Sequence, residues 1–143
     1  MRFPLIIGAA ALVALGISQA APSASTYAAA PTVACMRRAH AEIQLGQKAD
    51  VTLDVSYFPQ LRGQFFWHVG RAASFRGVIV AFTTNRSSAT RLAARLRRSH
   101  YSMGMTRAQA HRAVGQKGNV IWELESFTGL STTQEALLMH CLR

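Results

Sequence analysis

The sequence has 143 residues, of which 16 are Lys or Arg and 6 are Asp or Glu, so its net charge is +10 at pH 7. Removal of a predicted N-terminal signal leaves about 120 residues, which is the size of one domain with a single core. The charge, +9 once Arg2 leaves with the signal, favours anionic partners.

The first twenty residues have the three parts of a cleavable secretory signal. A short positive start precedes an uncharged apolar run over 3–17, which is shorter than the ~20 residues that span a bilayer. Small residues at Ser18 and Ala20 predict cleavage after Ala20. We therefore expect residues 1–20 to be removed and the protein to be secreted or held in the cell envelope or periplasm, with no transmembrane helix. The alternatives are an uncleaved anchor and a lipoprotein attached at Cys35.

The mature chain is predicted to begin with a flexible leader over 21–32, because this stretch is uncharged and rich in Ala, Ser and Pro. One small basic domain is then expected over 33–143. Cys35 opens this domain and Cys141 lies near its end, and such a pair in an oxidising compartment predicts a disulfide. The alternative, a redox pair or a catalytic thiol, lacks a CxxC motif.

A helix and strands are predicted in the first half of the domain. A short helix over 34–41 could run into a strand over 42–45. Alternation of apolar and polar residues predicts a strand over 50–58. After a turn, an aromatic strand over 64–69 completes a hairpin. Residues 77–83 are apolar on both faces and predict a central strand that is covered on each side.

A basic helix is predicted to follow the central strand. Asn85 can cap it, because its side chain can accept the free N–H groups of the first turn. The apolar residues of this helix recur at helical spacing and form a narrow stripe: Ala89, Leu92, Ala93 and Leu96. The pattern leaves residues 101–116 unsettled, and 106–114 could be helix or strand.

A hairpin and a helix are predicted at the C-terminus. Lys117 and Gly118 indicate a turn between strands over 112–116 and 119–125. The second strand is predicted to place Val120, Trp122 and Leu124 inward, with Glu123 and Glu125 outward. The last helix is predicted over 132–142, with Thr132 and Glu135 at the spacing of a capping box.

This order of elements predicts an α+β fold, in which helices pack on one face of a mainly antiparallel sheet. The segment from Gly77 to Glu125 could contain a split βαβ unit of the ferredoxin-like kind. Such a likeness of fold carries no function with it.

The basic residues are unevenly distributed along the chain. No acidic residue occurs between Asp54 and Glu123. The same interval contains the basic residues Arg62, Arg71, Arg76, Arg86, Arg91, Arg95, Arg97, Arg98, Arg107, Arg112 and Lys117. A positive field over part of the surface follows, and such a field speeds association with anions.

The predicted basic helix is the main candidate for binding. Arg91, Arg95 and Arg98 recur at i, i+4 and i+7 with Arg97 beside them, and guanidinium groups suit phosphates and carboxylates. We expect a non-enzymatic module that binds a polyanion, such as nucleic acid, an acidic glycan or an envelope phosphate polymer. Aromatic residues of the kind that single-strand binders use are few, with Tyr101 following the helix. The alternative is a solvated helix face that only confers solubility.

A secreted hydrolase, similar in action to a ribonuclease or phosphodiesterase, is the enzymatic alternative. It would need positioned acid and base groups, for which His68, His100 and His111 are candidates. The sequence has no HxxxH, HExxH or GxSxG motif and no glycine-rich phosphate loop. It therefore predicts no catalytic residue, metal site or cofactor. A third alternative is a protein-interaction module of the cell envelope.

Overall fold

A computed structural model describes residues 26–45, 60–69, 77–124 and 129–142. Within these ranges the fold is α+β, as predicted, with four helices and a five-stranded antiparallel sheet. None of the helices within these ranges is long and apolar enough to cross a membrane. In chain order the elements are α1 (Ala29–Arg38), β1 (Glu42–Gln44), β2 (Leu61–His68), β3 (Gly77–Thr83), α2 (Arg86–Ser102), α3 (Arg107–Ala113), β4 (Val114–Lys117), β5 (Val120–Leu124) and α4 (Thr132–Cys141).

Some of the predictions concern other parts of the chain. The signal over 1–20, the strand over 50–58 with its hairpin, and Glu125 all lie outside the described residues.

The strands are ordered β1-β2-β3-β5-β4, and each pair of neighbours is antiparallel. The central strand β3 has the predicted bounds, and all seven of its residues are buried. Because β5 is antiparallel to both β3 and β4, these two strands are parallel to each other, with β5 between them. The path from β3 through α2 and α3 to β4 is therefore a split βαβ arrangement.

Helices cover both faces of this sheet, whereas the prediction placed them on one. Helices α1 and α4 share a core with one face, and α2 packs with α3 on the other. The reason lies in β3, where Val78 and Val80 point to the first core and Ile79 and Ala81 point to the second. A strand that is apolar on both sides stabilises the fold only when both sides are removed from water.

Within the described residues, helix α1 overlaps the end of the predicted leader over 21–32. Helix α1 starts at Ala29, within the predicted leader, and Thr32 is fully buried. Alanines favour a helix, and Pro31 lies in the first turn, where its missing N–H is tolerated. The segment before α1 is fixed as well, because the Tyr27 backbone N–H donates to Asn119 Oδ1 at 2.7 Å and the Asn119 Nδ2 donates back to the Tyr27 carbonyl at 3.0 Å.

The predicted disulfide between Cys35 and Cys141 is present and connects α1 to α4. Both residues are buried in the core that these helices share. The bond joins residues 106 positions apart in the sequence, so it ties the beginning of the described fold to its end. Since the Cys35 sulfur is used in this bond, it is not available for the lipid attachment considered above.

The helix caps were predicted with mixed success. Asn85 caps α2 as expected, with its side chain accepting from the Ser88 N–H at 2.9 Å. Residues 107–113 form helix α3, which settles the open choice between helix and strand. The capping box of α4 is formed by Ser131 and Gln134, one residue before the predicted pair, because Ser131 still has an extended backbone and its hydroxyl accepts the Gln134 N–H at 3.3 Å.

Candidate anion-binding cleft and buried histidine–carboxylate pair

The four arginines predicted to bind anions lie on two different faces of α2. Arg91, Arg95 and Arg98 are exposed on its outer surface, where Arg91 donates to the Ser88 hydroxyl at 3.2 Å. Arg97 is half-buried and faces the sheet edge, since its Nη2 donates to the Val114 carbonyl of β4 at 2.8 Å. The predicted set is therefore an outer row of three arginines and a separate Arg97.

Arg97 lies in a cleft between α2 and the β4–β5 turn, with a volume of about 540 Å³. The α2 wall of the cleft follows from helical spacing, since residues at i, i+4 and i+11 share one face of a helix. The cleft is lined by Arg86, Thr90, Arg97, Gln116, Lys117 and Gly118. A cavity of this size can hold a small organic or phosphate-bearing ligand.

Gln116 connects the two walls of the cleft. Its Nε2 donates to the Thr90 hydroxyl at 3.0 Å and to the Gly118 carbonyl at 3.2 Å, with the Arg86 carbonyl at 3.4 Å. The Thr90 hydroxyl donates in turn to the Arg86 carbonyl at 3.0 Å. These bonds hold the start of α2 against the end of β4, so the hydrogen bonds of Gln116 set the width of the cleft.

Lys117 contributes positive charge beside the cleft rather than a direct ligand. Side chains alternate along a strand, so Lys117 points to the face opposite Gln116. Its Nζ lies 5.7 Å from the centroid of the Tyr27 ring, a cation–π distance. The turn that follows is tight, because Gly118 has a φ of 56°, which a glycine adopts without strain. The groups left to contact a ligand are the two guanidinium groups, Thr90 and Gln116.

Neither arginine of the cleft forms a salt bridge with a carboxylate among the described residues. Glu42 lies on the opposite edge strand and Glu135 on the opposite face of the sheet, whereas Glu123 lies on the α2 side and faces His100. The Nε of Arg97 is buried without a hydrogen-bond partner among the described residues. A buried donor without an acceptor costs about 1–3 kcal/mol.

Glu123 was predicted to point to solvent. It is instead buried on the α2 side of the sheet. Its Oε1 lies 2.6 Å from Nε2 of His100, and the two side chains are 0% and 3% exposed, respectively. Strand β5 lies between β3 and β4, so the face of β5 that carries Glu123 lies against α2 instead of water. Sequence alternation marks two faces of a strand, but it does not show which of them another helix covers.

The His100–Glu123 pair requires a proton between its two facing atoms. Burial lowers the pKa of His100 below its ordinary value of 6.5. Nδ1 of the same ring is buried without a hydrogen-bond partner in the described part of the chain. Protonating the ring would place an unsatisfied N–H there, so the geometry favours the neutral imidazole, with its proton on the side of Glu123.

The other candidate histidines do not join this pair. His68 is half-buried on β2, with its ring 4.7 Å from the Phe66 ring, and His111 is exposed on α3. No group of three or more His, Cys, Asp or Glu residues that could hold a metal is formed within the described ranges. Since the buried pair has almost no exposed surface, a substrate cannot reach it in this conformation. The pair therefore gives no support to the hydrolase hypothesis.

The pH dependence of stability should report on His100. Because its pKa is lowered in the folded state, the unfolded chain takes up more protons below about pH 6.5. We expect the free energy of unfolding to fall as the pH is lowered through this value, by at most ~1.4 kcal/mol per pH unit for this group. Urea unfolding between about pH 5 and pH 8 measures it. Replacing the exposed His111 with Asn should leave the dependence unchanged, whereas an unchanged dependence in His100→Leu would refute the assignment.

Comparisons of this chain with protein-family models, with curated proteins and with solved structures found no match.

Proposed function

We propose that this protein is a non-enzymatic binding module that holds an anionic partner in the cleft between α2 and the β4–β5 turn. The observation that carries the proposal is the pair of arginines, Arg86 and Arg97, which line one cleft without a carboxylate partner among the described residues. Guanidinium groups donate planar pairs of hydrogen bonds that match phosphate and carboxylate oxygens. Thr90 and Gln116 add neutral hydrogen-bonding groups to the same wall.

The outer row of Arg91, Arg95 and Arg98 has a secondary role in this proposal. These side chains are exposed and their charges are screened within about 8 Å at physiological salt. They would attract a polyanion and speed its arrival, while the cleft would determine its position. The disulfide is compatible with a partner met outside the cytoplasm, such as nucleic acid, an acidic glycan or an envelope phosphate polymer.

The proposal predicts that neutral replacement of a cleft arginine weakens anion binding strongly. Hydrogen bonds to charged groups contribute about 1.5–3 kcal/mol, so Arg97→Gln and Arg86→Gln should each lower the affinity roughly tenfold or more. Calorimetry with inorganic pyrophosphate and with heparin, at several salt concentrations, measures this loss. Arg86→Gln is the cleaner variant, because the hydrogen bonds at this residue use its backbone carbonyl and not its side chain.

The matched control is Arg38→Gln, which removes the same charge from an exposed position on α1, on the other face of the sheet. We expect this variant to bind both probes nearly as well as the unmodified protein. Equal losses in Arg38→Gln and Arg86→Gln would mean that net charge alone governs binding, and the cleft would then have no special role.

A further inference from the structure

Tyr101 is the aromatic residue closest in sequence to the arginines of α2, and it lies within the helix rather than after it. Helix α2 extends to Ser102, and Tyr101 is 37% exposed in its last turn. It follows Arg97 by four residues and Arg98 by three, so it lies beside both on the helix surface. An exposed phenol ring thus stands between the cleft arginine and the outer row.

The cleft wall and Tyr101 also follow one line along the helix. Thr90, Arg97 and Tyr101 are spaced at i, i+7 and i+11, which places them on one side of an α-helix. With a rise of 1.5 Å per residue, the path from Arg86 to Tyr101 is about 22 Å long. A ligand that follows this path contacts the cleft arginines Arg86 and Arg97 and then the ring of Tyr101.

We propose that the ligand of this surface is single-stranded nucleic acid, with a phosphate held in the cleft and an unpaired base stacked on Tyr101. The inference rests on the proposed function, since it names the class of anion that the cleft takes. Acidic glycans and inorganic phosphate polymers have no flat π face to stack on the phenol ring. Bases of a duplex are already stacked on each other, whereas those of a single strand are available for aromatic side chains.

The test compares two probes of equal charge. An oligothymidylate and an abasic oligonucleotide of the same length carry the same phosphates, but only the first has bases. Stacking of one base on an aromatic side chain makes a difference of roughly 5- to 150-fold in affinity. We expect the disulfide-bonded protein to bind oligothymidylate at least fivefold more tightly than the abasic strand, in fluorescence anisotropy at constant salt.

Variants of Tyr101 should remove this preference without removing binding. Tyr101→Phe keeps a stacking face and should keep the preference, while Tyr101→Ala should bind both strands as the unmodified protein binds the abasic one. Met103→Ala is the matched control, because Met103 is 60% exposed and apolar but has no ring. Arg86→Gln should weaken both strands by the same factor. Thermal unfolding of each variant shows that the exposed substitutions leave the fold intact.

The outcomes separate this inference from the proposed function. Equal affinity for the two strands, or a preference that survives in Tyr101→Ala, would overturn the nucleic-acid assignment while leaving an anion-binding cleft. A tighter complex with heparin than with oligothymidylate would also overturn it and point to a glycan. Failure of Arg86→Gln to weaken any probe would overturn the proposed function itself. Cleavage of the oligothymidylate during incubation would contradict the non-enzymatic part of the proposal.

Discussion

Replacement of His100 with Leu is expected to destabilise the fold by about 3–5 kcal/mol, because it removes the imidazole that faces a buried carboxylate. Glu123 is only 1% exposed, so the side chain cannot turn to water without a shift of β5 or α2. It must either stay charged in a medium of low dielectric constant or take up a proton at a cost in free energy. Urea unfolding at pH 7, with the midpoint and slope both recorded, measures the loss.

Substitution of the partner residue Glu123, alone and together with His100→Leu, tests whether the loss of stability comes from this pair. Glu123→Leu should cost less, about 1–3 kcal/mol, since it leaves a neutral imidazole with an unsatisfied donor and not a buried charge. Combining the two substitutions should restore most of the lost stability, because replacing both partners of a buried hydrogen bond by apolar groups of similar shape can be nearly neutral. Additive losses in the double variant would show that the two side chains do not interact. His111→Leu, at an exposed position, should change stability by less than about 0.5 kcal/mol.

Removal of the disulfide is expected to cost about 2–5 kcal/mol. Cys35→Ala together with Cys141→Ala releases a cross-link between residues 106 positions apart, so the unfolded chain gains much conformational freedom. Alanine is preferred to serine at these sites, because both are buried and a hydroxyl group would lack a partner. Guanidinium unfolding of the variant and of the reduced natural protein should show similar losses.

The same variant tests whether the two faces of the sheet are independent. The disulfide joins α1 and α4 on one face, and the cleft lies beside α2 and the β4–β5 turn. Anion binding by the variant at low temperature, where it is still folded, should therefore remain close to that of the unmodified protein. The disulfide itself would be refuted if alkylation without a reductant added two labels to the native protein, as measured by intact mass.

Features set by neighbouring residues were predicted well. The bounds of β3 followed from a run of apolar residues, and the start of α2 followed from Asn85, whose side chain reaches an N–H only three residues away. The apolar stripe of α2 also packs into a core as its spacing predicted. The disulfide was predictable for another reason, since the sequence has only two cysteines and each lies near one end of the domain.

The surroundings of the charged residues were not predictable in this way. Arg97 and Arg98 are adjacent in the same basic run, yet Arg97 contacts the β4 backbone whereas Arg98 is exposed. Glu123 has an alternation pattern typical of an exposed position, and it is buried because β5 is inserted between β3 and β4 beneath α2. Each difference depends on elements that lie far apart in the chain and meet only in the fold.

The sequence by itself determined the α+β class, the central strand, the basic helix, the disulfide and the excess of positive charge. These properties depend on periodicity, capping and composition, which act over a few residues or over the whole chain. The tertiary structure alone decided that helices cover both faces of the sheet, that Arg86 and Arg97 share a cleft, and that His100 meets Glu123. Burial and charge pairing depend on which distant elements pack together, and local sequence patterns do not determine that packing.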